Sequence, residues 1–418
     1  MLRLAGNPSY RFLAVISARL ASNFGTFLSM MALNVYVLEL TGSTTWMGLT
    51  MAVKVLSGML ATPFIGRAVD RYDRKKLMVL SDVVLTAAMV GIVLVPAAAA
   101  RYAIVVLMAL LGVFSNLFDV ALSAAIPEML GTQDTLKANS WHVGGRNMAV
   151  GASAMCAVAA NYLFEGYSVI FLVDAATYLL SAVVLYTLDI RTAQARPPSG
   201  AEGSGFWEEL HSDLAEVRGL ENARTVALFL SVLLLDAFAS GSHNIGFPVF
   251  SRGLYPAKPM LYYGIILAFW AAGNVAGIYH LNRQGWLRRL RPESLYLSFT
   301  AIMSGGMILV FQAGQVWSIA LSSFLAGVGD GTYQTYFATY IQQVPDAVRG
   351  KVFALSGLAV RTGLGLGFMA VPFVMERLGA AKTTLLFHGA VLVFIAGLFL
   401  TPGAIGAGRV SSSRSRSG

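Results

Sequence analysis

The sequence predicts an all-α polytopic membrane protein whose twelve transmembrane helices form two pseudo-symmetric six-helix bundles. Three observations predict it. The 418 residues are 56% hydrophobic and 12% charged, with a mean hydropathy of +0.66, which leaves too little polar surface to cover a soluble body of this length. Apolar runs long enough to cross the hydrocarbon core as helices, about 20 residues each, recur along the chain. One long polar stretch interrupts them near the middle. Lipid cannot satisfy backbone N–H and C=O groups, so the runs are helices or a closed barrel. Alternating ten-residue segments are absent, which excludes the barrel.

The spans fall at about 10–38, 45–65, 77–98, 103–125, 138–161, 167–188, 224–250, 260–281, 293–312, 316–342, 352–375 and 382–401. The first carries Arg19 and Asn23 and has no small-residue cleavage site behind a short apolar core, so it reads as an uncleaved span. After span six, "RTAQARPPSGAEGSG" reads as a flexible linker. In "FWEELHSDLAEVRGL", Phe206, Trp207, Leu210, Leu214, Val217 and Leu220 share a helical face, the pattern of an amphipathic helix on the membrane surface. The expected units are a first bundle over 1–190, a cytoplasmic linker with its helix over 191–223, a second bundle over 224–401 and a disordered tail over 402–418. The one cysteine, Cys156, lies within a span and offers neither a disulfide nor a cysteine metal site.

Charge placement orients the chain. Twenty-one of the 30 Lys and Arg fall on the termini and even-numbered connections, and five on the odd-numbered ones. This bias predicts cytoplasmic termini. The net charge of +9 thus faces anionic headgroups, and no nucleic-acid groove is expected. The halves also repeat. Asp70-Arg71 after span two matches Asn282-Arg283 after span eight, and Ile126-Pro127-Glu128 matches Val344-Pro345-Asp346. Internal duplication around a midplane site is the plan of many secondary transporters.

The segment "GRAVDRYDRKK" (66–76) gathers five basic residues and two aspartates between nearly charge-free runs. It resembles the loop motif of the major facilitator superfamily at Gly66, Asp70, Arg71, Arg74, Lys75 and Lys76, while Asp73 stands where that motif usually has glycine. "VLELTGSTTWMGL" (37–49), "IPEML…LKANS" (126–140) and "VPDAVRGKVFAL" (344–355) are similar to the drug–proton antiporter branch, which includes macrolide efflux pumps and siderophore or metallophore exporters. The resemblance implies that the 66–76 loop is a conformational latch of the state closed toward the cytoplasm. Physically, the cations anchor the loop at headgroups, Gly66 allows close helix approach, and Asp70 caps or pairs with neighbouring helix ends.

An ionisable side chain at mid-bilayer costs about 2.5–3.5 kcal/mol and needs a reason. Arg19, Lys54, Asp119, Arg146, Asp236, Asp330 and Arg361 lie on spans one, two, four, five, seven, ten and eleven, those that the resemblance places at or beside a central cavity. Helical spacing adds Asn23, His142, His243, Tyr333 and Gln334 to a candidate substrate and proton pathway. Asp119 and Arg146 also read as a packing pair. Asp82, Asp174 and His388 fall on the mostly lipid-facing spans three, six and twelve and read as structural. Thr26 stands where the branch often has an acid, and a Gly-Pro signature of span five is reduced to Gly151-Ala152.

Four intramembrane cations attract carboxylates, most of all Arg19 and Lys54, whose own helices place no acid within a turn of them. The expectation is a proton-coupled exporter of a small anionic metabolite, such as a siderophore or opine-type metallophore, monomeric in a bacterial inner membrane. Macrolide or multidrug efflux is the alternative, ahead of a lysophospholipid flippase or a non-transporting scaffold or sensor. No cofactor is expected. The glycines of "SGLAVRTGLGLGF" lack the Gly-Lys-Ser/Thr ending of a phosphate loop and read as helix packing. Five scattered histidines give no metal spacing, and nothing arranges an enzyme nucleophile.

Overall fold

The structure, a computed structural model, describes residues 8–130, 135–188, 206–284 and 290–400; the described side chains exclude 8–12, 97, 126–147, 206, 207 and 209. Its helices are α1 (Pro8–Thr41), α2 (Thr44–Arg71), α3 (Arg74–Leu94), α4 (Ala97–Leu130), α5 (Thr135–Leu163), α6 (Ser168–Thr187), α7 (Phe206–Arg218), α8 (Ala223–Leu254), α9 (Leu261–Arg283), α10 (Pro292–Gln312), α11 (Val316–Ile341) and α12 (Asp346–Leu400). Every sequence span falls on one of them. The last two spans share α12, whose chain turns at Gly379. Its φ of 75° is open to glycine at little cost. Nine helices among the described residues are apolar and long enough to cross a membrane. The helix α11 is not among them, because Ser322, Ser323, Asp330, Thr332 and Gln334 dilute it.

Packing repeats between the halves. In the first, α1 packs on α5, α2 on α4, and α3 on α4 and α6. In the second, α8 packs on α12, α9 on α11, and α10 on α11 and α12. These are the same pairs six spans later, which is the physical form of the sequence repeat. Gly363 and Gly367 show why small residues are needed: a Cβ there would lie 2.5 and 2.4 Å from the carbonyl oxygens of Leu234 and Phe238 on α8. The glycine run is therefore helix packing.

The halves meet through α5 with α9 and α2 with α12, and the contact is one-sided. At the face bearing the α1–α2 turn, Glu376 of α12 accepts from the Thr45 backbone N–H at 3.2 Å and the Thr45 hydroxyl at 2.8 Å. There too Lys258 Nζ donates to the Asn161 carbonyl at 2.7 Å, and Arg252 reaches the Leu38 carbonyl at 3.4 Å. Toward the other face, which carries the 66–76 loop and α7, Arg361 makes the last cross-half hydrogen bonds among the described residues. Among the described residues, the cross-half hydrogen bonds gather at one face and none is made at the other.

On the amphipathic helix, Leu210, Leu214 and Leu220 pack against the main core and Val217 is buried, so part of its apolar face lies on protein, where α7 meets α8 and α12. Lys351 of α12 pairs with Asp213 at 3.3 Å and with Glu216, fixing α7 to the second bundle.

Candidate functional site

Three polar groupings lie inside the helices, one in each bundle and one at the seam. In the first bundle Arg19 is 5% exposed. Its Nη2 meets Asp119 Oδ1 at 2.5 Å and its guanidinium lies 4.3 Å over the Phe118 ring. The Asp119 side chain is 49% exposed, so the pair runs from the bundle interior to an accessible surface. Asn23, one turn on from Arg19, is buried. Among the described residues the partner of Asp119 is Arg19 on α1. The side chains of His142 and Arg146 lie outside the described residues, so the Asp119–Arg146 pairing is not described. One turn further, Thr26 bonds the Tyr178 hydroxyl at 2.7 Å, and Ser29 donates to Asp174. Half-buried Lys54 places its Nζ 3.0 Å from Met30 Sδ, within electrostatic reach of Asp174.

The second bundle is acidic. Asp236 on α8 and Asp330 on α11 are 3% and 5% exposed and lie within each other's field. The Tyr333 hydroxyl donates to Asp236 Oδ2 at 3.0 Å. Gln334 and Asn274 donate to the two Asp330 oxygens at 2.6 and 3.2 Å. Asp236 Oδ1 is buried without a partner, and no cation is within ion-pair distance of either acid among the described residues. Gln334 is exposed, so it links buried Asp330 to an accessible surface. Two sealed carboxylates without a counter-cation cannot both stay charged cheaply, so the arrangement suits proton exchange. Beside it, His243 Nδ1 lies 2.9 Å from His388 Nε2, and His388 Nδ1 lies 3.2 Å from Ser304 Oγ.

At the seam, half-buried Arg361 of the second bundle reaches into the first. Its Nη2 donates to Asn116 Oδ1 at 2.9 Å and its Nη1 to Thr62 Oγ1 at 3.2 Å. Asn116 is held in turn by the Gly58 carbonyl at 2.9 Å. Both hydrogen-bond partners of Arg361 are neutral, unlike that of Arg19, and Asp119 lies within its field without bonding it.

The 66–76 loop sits at the face opposite the Glu376 contacts. Asp73, the departure from the motif, N-caps α3 by accepting from the Lys76 N–H at 2.8 Å. Arg74 donates to the Ala124 carbonyl at 2.8 Å, and Lys75 to the Leu188 carbonyl at 2.7 Å at the C-terminus of α6, where the helix dipole favours a cation. Arg71 lies near the Tyr72 ring, and Lys76 is exposed. Asp70 is exposed and caps no helix end among the described residues, and a Cβ on Gly66 would meet nothing within 4 Å. Among the described residues, neither Gly66 nor Asp70 makes the close approach expected of it.

Sequence reasoning missed Asn274, Thr62 and Tyr178 because it weighed charges first. Asn274, a lone amide on an apolar helix, carried the available signal. Asp82 and His388, read from the sequence as structural residues on mostly lipid-facing spans, are both fully buried.

Comparison with known proteins accords with the geometry. Residues 15–368 match the family model described as Major Facilitator Superfamily. The enterobactin exporter EntS of Escherichia coli is 27% identical over 94% of this chain and 92% of its own. Macrolide efflux protein A of Streptococcus pyogenes is 21% identical over 93% and 95%. The crystal structure of the nucleoside transporter NupG covers 93% of this chain and 98% of its own with a TM-score of 0.69 at 14% identity, a likeness of fold. Two six-helix bundles joined at one face, with polar groups between them and a family match across most of the length, lead to one conclusion: the chain belongs to the Major Facilitator Superfamily.

Proposed function

We propose that this transporter exports a small anionic metabolite, such as a siderophore or opine-type metallophore, in exchange for protons. The observation that carries the anionic reading is Arg361. It is a cation at the seam whose partners, Asn116 and Thr62, are neutral and therefore exchangeable for a carboxylate. Arg19 supports the reading less than its sequence position suggests, because Asp119 already neutralises it. Proton coupling falls to Asp236 and Asp330, and the whole-length similarity to an enterobactin exporter supports export. The working unit is a monomer in the bacterial inner membrane with cytoplasmic termini. Its bundles over 1–190 and 224–401 rock about the central site, with 191–223 as linker and 402–418 as tail.

The similarity to a macrolide efflux protein over 93% of the chain supports drug efflux as the second reading. Equilibrium binding to purified parent and Arg361→Gln proteins separates the two. A hydrogen bond to a charged group is worth about 1.5–3 kcal/mol, so a carboxylate metallophore should lose roughly tenfold to a hundredfold in affinity, with little change for a macrolide. Unchanged metallophore affinity, or macrolide binding alone by the parent, decides for drug efflux.

A further inference from the structure

Outside the groups used above, the most anomalous side chain is Asp82 on α3. It is fully buried, and neither carboxylate oxygen has a hydrogen-bond partner. An ionised carboxylate stripped of both water and donors costs several kcal/mol. Its surroundings are few. Arg19 of α1, Asp119 of α4 and Tyr178 of α6 lie within its field, and the Ser181 hydroxyl of α6 lies beside it, short of a hydrogen bond. Arg19 is the only cation of that set, and its Nη2 is engaged by Asp119. Yet Arg19 Nε is also buried with no acceptor, and so is the Ser181 hydroxyl. Two orphaned donors thus stand near two orphaned acceptors.

We propose that Asp82 is a proton-binding site buried in the first bundle, and that Arg19 exchanges between Asp119 and Asp82 as its carboxylate partner. In the arrangement seen, Arg19 is paired with ionised Asp119, and Asp82 carries the proton. In the other, Asp119 takes up a proton from the cavity, to which its half-exposed side chain has access. The freed guanidinium then turns to Asp82, which releases its proton. One cation, one carboxylate and one carboxylic acid are present in both arrangements, so the trio stays at the same net charge and its rearrangement moves no net charge into the bilayer. Ser181 accepts from the acid in the first arrangement or donates to the carboxylate in the second. The site is independent of the acid pair in the second bundle, and its test needs no transported substrate.

Infrared difference spectroscopy on the purified full-length protein in lipid reads protonated carboxyls through their C=O stretch, which shifts on exchange into heavy water. Asp82→Asn should remove one such band. Asp119→Asn should remove the same band, because Arg19 then turns to Asp82 and ionises it. If Asp82→Asn retains every carboxylic-acid band, the site is overturned. If Asp82→Asn loses the band and Asp119→Asn keeps it, the exchange of partners is overturned. Should Asp82→Asn fail to fold, Asp82→Glu keeps a proton-binding group and must displace the band; an unmoved spectrum again overturns the site.

Discussion

Removing the charge of Glu376 should open the face that is closed here. Glu376 sits on α12, and one of its oxygens, Oε1, gathers the Thr45 N–H, the Thr45 and Thr44 hydroxyls at 2.8 and 3.2 Å, and the Ser43 hydroxyl at 3.4 Å. Those donors are the N-terminal turn of α2, whose cap is Ser43. The contact therefore joins a carboxylate of one bundle to the positive end of a helix of the other, and it exists only while this face is shut. An anion at an exposed helix N-terminus is worth about 0.3–1 kcal/mol, and charge-assisted bonds are about twice as strong as neutral ones. Exposure and salt discount both. Glu376→Gln keeps an acceptor oxygen and loses the charge, so about 1 kcal/mol is a fair upper value, or roughly a fivefold shift in the ratio of closed to open.

Spin labels at position 165 of the first bundle and position 382 of the second, in protein with Cys156 replaced by Ser, report the distance across this face by pulsed electron resonance. The longer-distance population should grow several-fold in Glu376→Gln, and the difference should shrink at high salt. Replacing the neighbouring Arg377 with Gln should leave the distribution unchanged. If Glu376→Gln matches the parent, the clasp contributes nothing to closure and the reasoning fails.

Two further outcomes are expected. Asp236→Asn or Asp330→Asn should abolish proton-driven export in proteoliposomes while sparing substrate binding, and gradient-driven rates equal to the parent in both variants would remove coupling from these acids. Asp70→Asn should leave the state seen here intact, since Asp70 is exposed in it, yet slow turnover by weakening the opposite state; normal turnover at normal expression would remove the latch role.

How much of this could be read in the sequence follows from what sets each feature. The spans were legible because lipid imposes a length and a hydrophobicity that each segment must meet alone. Partners were not. Which group Arg19 meets depends on the rotation of α1 against α4, and that is set by packing contacts scattered over both helices. The sequence offers Arg146 as a partner for Asp119, a side chain that lies outside the described residues, and gives no sign of Arg19, which meets Asp119 from a hundred residues earlier. Span number likewise says nothing of which face Asp82 and His388 occupy, and both are fully buried. A helix at the rim of a bundle still turns one face inward, and the rule by span number ignores the face. The apolar stripe on α7 was found, but a stripe does not say whether lipid or protein covers it.

The positions of the charged groups bear on how such a transporter could cycle. Glu376 clasps one face with a contact worth about 1 kcal/mol, and Asp70 lies at the other, available to a helix end when that face shuts. Opposed contacts of similar size leave the two states close in free energy. Two such states can be driven from 1:99 to 99:1 only by about 5.5 kcal/mol of differential binding, and a single charge-assisted bond supplies less than that. Several groups must therefore change partners together. Arg361 bonds across the seam to Asn116 and Thr62, so it loses both partners in any arrangement that parts the halves there. The exchange proposed above requires that a proton on the acid pair and an anion on Arg361 each favour a different arrangement of the halves, so that the two exclude one another.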